Sequence, residues 1–170
     1  KTPPNLLYMD YLGKLYPQAR FIHVIRDGRA VSASLLKQDW TDMSTGKPID
    51  YCSSLESAAK YWAAMVKEIR SQAVSVPGRY LEVRYEDLVS QPRETMAVVL
   101  AFLEEPWDEA VLSHQNANVI LPDSESSSKE VAKAIHTGAV ARWKSELSKQ
   151  DRLKIESWAG PMLRELGYAA

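Results

Sequence analysis

Five residues of strand character, Phe21-Ile22-His23-Val24-Ile25, run without a spacer into Arg26-Asp27-Gly28-Arg29, and a helical pattern begins at once at Ala30. Phe21, Ile22, Val24 and Ile25 are apolar and mostly β-branched, the signature of a short buried strand. Ala30 to Leu36 reads as a helix with a Ser-bearing face. A strand that feeds a helix through so short a turn restricts the chain to α/β architectures, where ligands settle at such an edge. The helix start offers N–H groups and the positive end of its dipole. Arg26 adds a planar fork of donors. From this stretch alone, an anion site and a plain βα turn with solvated or Asp27-paired arginines are both open.

The remaining pattern supports the same class. Leu6, Leu7, Met9, Leu12 and Leu15 predict an amphipathic helix over residues 5–15, ended by Pro17. Residues 40–52 read as a loop. Ser53 or Ser54 caps the next helix, whose apolar face is Leu55, Ala59, Trp62, Met65 or Val66, and Ile69. Pro77-Gly78 breaks the chain, and Tyr80 to Arg84 forms a second strand with Tyr85-Glu86-Asp87-Leu88 at its carboxyl end. Pro92 opens a helix that buries Met96, Val99, Leu100 and Leu103. A short helical piece follows from Pro106 to about His114, and residues 116–138 read as a long ordered loop or lid. A last helix runs from Lys149 to Leu166, with Pro161 as a kink or break and Gly167 as its stop. Helices alternating with two strands predict parallel pairing. Two strands are few for a sheet in a domain of this size, so at least one more central strand is expected upstream of Lys1.

Composition removes several functions. The 170 residues suffice for one compact domain with a core. The chain carries 21 basic and 22 acidic residues, a balance that argues against a dedicated nucleic-acid binder but allows a local basic pocket. Cys52 is the single cysteine, so no intrachain disulfide forms, and no Cys/His spacing suits zinc. No apolar run is long enough for a membrane span.

Six segments then stand in order: Lys1-Thr2-Pro3, FIHVIRDGRAVSAS, YLEVRYEDLVSQP, FLEEPWDEAVL, GAVARW and LRELGY. This series resembles the sulfotransferases that use 3′-phosphoadenosine 5′-phosphosulfate (PAPS), closest to the tyrosylprotein sulfotransferases and their bacterial relatives, over almost the whole chain. The resemblance implies a P-loop-kinase-like, three-layer α/β/α domain around a central parallel sheet, here a single domain over residues 1–170 whose first strand and phosphate loop are missing. It implies transfer of a sulfuryl group to an acceptor hydroxyl, on a peptide tyrosine, a sugar or a small molecule, with adenosine 3′,5′-bisphosphate (PAP) as product. Arg26 and Ser34 match the arginine and serine that hold the 3′-phosphate. Tyr85 matches a nucleotide-contacting tyrosine. Ser127 and Arg142 match a serine and a basic residue that close over the cofactor. Lys1 matches the lysine near the sulfuryl group and is the catalytic candidate. Trp143 reads as core. Asp27 is expected to cap the helix, and Arg29 to pair with a carboxylate such as Glu86. Glu86 and Asp87 are expected to be structural.

Two features depart from that family. Its Gly-rich Arg-x-Gly-Thr loop, which aims backbone N–H groups at the 5′-phosphosulfate, has no counterpart in this sequence. Its general base, a glutamate or histidine, has no position here to be carried onto. A non-catalytic nucleotide-binding module and an ATP-dependent phosphotransferase are therefore the rival functions. The single cysteine points to a bacterial cytoplasm, whereas the eukaryotic tyrosine-sulfating branch implies the Golgi lumen.

Overall fold

The computed structural model describes residues 3–116 and 133–168. Strands β1 (Phe21–Ile25) and β2 (Tyr80–Arg84) lie side by side in parallel, with Phe21 opposite Tyr80 and Ile25 opposite Arg84. The connection between them carries α2 (Gly28–Leu35) and α3 (Leu55–Ala73). Ahead of β1 the expected helix divides into a 3-10 segment, Pro3–Tyr8, and α1 (Met9–Leu15). Two leading prolines withhold donors, and the first turns close on the tighter 3-10 pattern.

After β2 the chain turns at once into α4 (Tyr85–Ser90), a helix too short to betray itself by periodicity, and then α5 (Pro92–Leu103). The expected piece around residues 106–114 is two 3-10 turns, Glu109–Leu112 and His114–Asn116. Most of the expected lid lies outside the described residues. The chain resumes into α6 (Trp143–Glu146) and α7 (Lys149–Glu165). Pro161 lies inside α7 without ending it. Its missing N–H forfeits one helical bond, while Ile155, Ala159, Met162 and Leu163 hold that helix against the core.

Alternation along β1 turns Phe21, His23 and Ile25 inward, each under a tenth exposed, and leaves Val24 half exposed. Ile25 joins Ala33, Trp62, Val66, Trp143, Ile155 and Leu163 in the larger core cluster, so α2, α3, α6 and α7 share one interior. Phe21 joins Met9, Ile69 and Val76 in the smaller one. Helices α4 and α5 pack against β2. This is the layered α/β arrangement expected from the sequence. A groove of about 560 Å³ follows β1 from Arg20 to Arg26, walled by Leu6, Tyr61 and Met65.

A polar seam crosses the face of the sheet that meets α3. Arg70 grips both carboxylate oxygens of Glu82, through Nε at 2.7 Å and Nη2 at 3.0 Å. The Tyr80 hydroxyl donates to Glu82 Oε1 at 2.8 Å and lies 2.7 Å from His23 Nδ1. Its one proton is spent on Glu82, so His23 Nδ1–H is the donor to the Tyr80 oxygen. Burial pulls the His23 pKa down to about 4, with Arg70 adding to the effect and Glu82 opposing it. Burial, and then the bond to Glu82, push the Tyr80 phenol far up.

Candidate functional site

The carboxyl ends of both strands converge on one edge. Arg26 follows β1 directly. Its Nη2 donates to the carbonyl of Ala139 at 2.7 Å, and its guanidinium lies 4.7 Å over the ring of Tyr85, the first residue of α4. Its Nε is buried and has no partner among the described residues. A buried donor left open costs free energy unless a ligand or water meets it. Trp62 Nε1 donates to the Arg26 carbonyl at 3.2 Å, so α3 anchors the backbone at this point.

Asp27 caps α2 as expected: its Oδ1 accepts the Arg29 N–H at 2.9 Å. One consequence corrects the expectation of an open helix end. The negative charge there is the protein's own, and the Arg26 Nε stands at this edge as a buried donor without a partner among the described residues. Arg29 finds a carboxylate, as expected, though not Glu86. It pairs with Asp27 (Nη2 to Oδ2, 2.8 Å) and approaches Glu156 of α7 at 3.6 Å, while stacking 4.2 Å over Trp143. The pair is almost wholly buried, and Asp27, two residues before Arg29 in sequence, reaches the guanidinium before any tertiary partner.

Glu86 instead joins the two strand ends. Its Oε1 accepts the Asp27 N–H at 3.0 Å, and its Oε2 accepts the Tyr168 hydroxyl at 2.8 Å. Its bonds are thus structural, as expected. Glycine is required at Gly28, because a Cβ there would stand 2.5 Å from the Trp62 ring.

Ser34 occupies the last turn of α2, half-buried, and its hydroxyl makes no hydrogen bond among the described residues. Its carbonyl accepts from Gln38 Nε2 at 3.2 Å. No hydrogen bond joins Ser34 to Arg26; they stand on successive elements of the same βα unit. Arg142 is exposed and pairs with Glu146 at 3.2 Å. Glu146 also binds Lys37 at 2.5 Å, which ties Arg142 to the α2 end that carries Ser34. Trp143 is core, as expected. Lys1 and Ser127 lie outside the described residues. The bond from Trp62, the Lys37 pair and the Ala139 carbonyl escaped the sequence reading, which had Trp62 only on an apolar helix face. The buried indole N–H of Trp62 was the available signal, since such groups find acceptors.

Among the described residues, no group of three or more His, Cys, Asp or Glu side chains is placed to hold a metal. No described helix is long and apolar enough to cross a membrane.

A family model described as sulfotransferase family matches residues 1–109. The chain is 31% identical to protein-tyrosine sulfotransferase 1 of Danio rerio over 173 residues, covering 99% of this chain and 47% of that protein. It is 32% identical to protein-tyrosine sulfotransferase A of Caenorhabditis elegans over 172 residues, covering 99% and 44%. The chain thus spans about half the length of the curated relatives it matches. Among solved structures, the sulfotransferase domain from the Synechococcus PCC 7002 olefin synthase aligns with a TM-score of 0.59 at 25% identity, over 82% of this chain and 48% of that one. The sulfotransferase domain from the curacin biosynthetic pathway shares the fold, with a TM-score of 0.61 at 17% identity over 92% of this chain and 59% of that one.

Proposed function

From its membership of the sulfotransferase family, to which this chain belongs, we propose that the protein moves a sulfuryl group from PAPS to an acceptor hydroxyl, with this chain supplying the 3′-phosphate side of the donor site. The observation that carries this reading is the buried Nε of Arg26 at the end of β1, which has no partner among the described residues, beside the Tyr85 ring. A dianionic phosphate suits such a group because charge-assisted bonds to arginine are strong and directional. Ser34 would add a neutral hydroxyl donor, and Arg142 and Ser127 would close over the nucleotide. Tyr85 would flank the adenosine moiety while steadying Arg26.

PAPS supplies the activated sulfuryl group. In the transfer, a bond forms between the acceptor oxygen and sulfur as the bond from sulfur to the 5′-phosphate oxygen breaks. The acceptor proton leaves to a base, and PAP departs. The chemistry parallels phosphoryl transfer in that positioning and charge stabilisation carry most of the work. Lys1 would stabilise the charge that builds on the leaving phosphate. No residue of this chain is assigned as the base. Two of the matched relatives are named for protein tyrosine, so a tyrosine hydroxyl of a protein is the acceptor we favour. The bacterial cytoplasmic setting suggested by the single cysteine finds no support in these animal relatives, and the Golgi lumen is the compartment the proposal adopts.

Calorimetric titration with PAP, with adenosine 5′-monophosphate as control, tests the reading. The wild-type chain should prefer the bisphosphate. Arg26→Ala should weaken that binding by about 2 kcal/mol, roughly thirtyfold, given what bonds to charged groups contribute. Equal affinity for the two nucleotides, or an unchanged Arg26→Ala, would reject Arg26 as the phosphate anchor. A preference for adenosine triphosphate with magnesium would favour the phosphotransferase instead.

A further inference from the structure

The carboxyl-terminal Leu166-Gly167-Tyr168 segment reaches back to the edge that carries Arg26. Gly167 turns the chain after α7 with φ of +73°, a conformation open to glycine. Arg84, the last residue of β2, donates to the Leu166 carbonyl at 3.2 Å and stacks 4.3 Å over the Tyr168 ring. Tyr168 is 6% exposed. Its hydroxyl donates to Glu86 Oε2 at 2.8 Å and stands 3.4 Å from the Ile25 carbonyl. Glu86 Oε1 in turn receives the Asp27 N–H. The residues on both sides of Arg26 are thus tied to one side-chain pair. The same carboxylate belongs to the first turn of α4, next to Tyr85. Burial, reinforced by Glu86, raises the Tyr168 phenol far above its ordinary range. It therefore stays a donor wherever the protein is folded.

Building on the proposed donor site, we infer that Tyr168 and Glu86 form a positioning pair, which fastens the turn carrying Arg26 to the turn carrying Tyr85 and so sets selectivity for a 3′-phosphate. Neither side chain touches the nucleotide. The pair acts through Arg26: with Asp27 and Ile25 held, the guanidinium has one backbone origin and one ring to lie on. Without the Tyr168 hydroxyl, Glu86 keeps the bond from the Asp27 N–H but loses its anchor on the carboxyl-terminal segment, and the two turns can separate.

The test compares Tyr168→Phe, which keeps the ring beneath Arg84, with Glu86→Gln and with Val76→Ala. Val76 is buried just after α3, in the smaller core cluster with Met9, Phe21 and Ile69, which contains neither Ile25 nor Tyr168. Its variant removes two carbons and serves as a stability control. Two readouts are taken on the full chain: the ratio of PAP to adenosine 5′-monophosphate affinity, and amide hydrogen exchange without ligand. Tyr168→Phe and Glu86→Gln should lower the affinity ratio about fivefold, less than loss of a direct charged bond would. They should also speed exchange at residues 25–29 and 85–87. Val76→Ala should lower the melting temperature while leaving the ratio and that local pattern unchanged. A wild-type ratio together with wild-type exchange in Tyr168→Phe overturns the pairing role. If the wild-type chain shows no preference for PAP, the proposed function falls instead, and the exchange pattern alone then decides whether Tyr168 and Glu86 hold the turns.

Discussion

Acidification should weaken this fold through His23. The unfolded imidazole titrates at 6.5, and the folded one at about 4 because burial disfavours its charge. Between those values the unfolded chain takes up a proton that the folded chain refuses. Stability therefore falls as pH drops from 6.5 towards 4, and this contribution levels off below 4. Between pH 7 and pH 5 the loss is about 2 kcal/mol. For a chain of this length that corresponds to about 4–8 °C in melting temperature. Glu82 adds to the trend. Burial alone would raise its pKa, but the bonds from Arg70 and Tyr80 bring it below the ordinary carboxylate value. The assay is a pair of melting curves at pH 7 and pH 5 for wild type and His23→Leu, with an NMR titration of the His23 ring. The variant should lose about 2 kcal/mol less than wild type over that range. An equal loss in both proteins, or a His23 ring that titrates near 6.5, would refute the reasoning.

Three substitutions probe the site more directly. Gly28→Ala drives a methyl group to within 2.5 Å of the Trp62 ring; chemical denaturation should show a loss of about 1–3 kcal/mol, and an unchanged midpoint would contradict the packing. Asp27→Ala removes the carboxylate that lies closest to the buried Arg29 guanidinium among the described residues, where Glu156 stands further off at 3.6 Å. A destabilisation of about 3–5 kcal/mol is expected in the same assay, and a loss below about 1 kcal/mol, the scale of an exposed pair, would show that Glu156 takes over. Ser34→Ala should weaken PAP by about 1.5–3 kcal/mol without moving the melting temperature, because its hydroxyl has no partner among the described residues; retained affinity in calorimetry would remove Ser34 from the site.

What could be read from the sequence was what local chemistry decides. β1 and β2 fall where β-branched residues cluster, and Asp27 and Ser54 cap the helices that follow them. The Met65-or-Val66 ambiguity is settled by packing, with Val66 buried at 4% exposure. Partners set by the tertiary fold were out of reach. Arg29 was expected to find a carboxylate such as Glu86; Asp27 holds it from two residues away and α7 brings Glu156 up behind. Tyr168 belongs to a segment that seemed only a helix stop followed by a family ending, and nothing in its neighbours announces a bond to Glu86. Helix α4 is six residues long, less than two turns, so no apolar period could reveal it. Within the candidate site, the position of Arg26 directly after a strand was legible. The Ala139 carbonyl that meets it comes from a remote turn whose approach no spacing encodes.

The two indoles beside the arginines make the protein its own optical reporter. Trp62 is bonded to the Arg26 carbonyl, and the Arg29 guanidinium lies 4.2 Å over the Trp143 ring. Both are shielded from water, whereas Trp40 and Trp107 are more than a third exposed. An anion arriving at Arg26 changes the electric field across the Trp62 ring before any atom moves far. Emission excited selectively from indole should therefore track occupancy of this edge without an attached dye, and iodide should quench the outer tryptophans while sparing that signal.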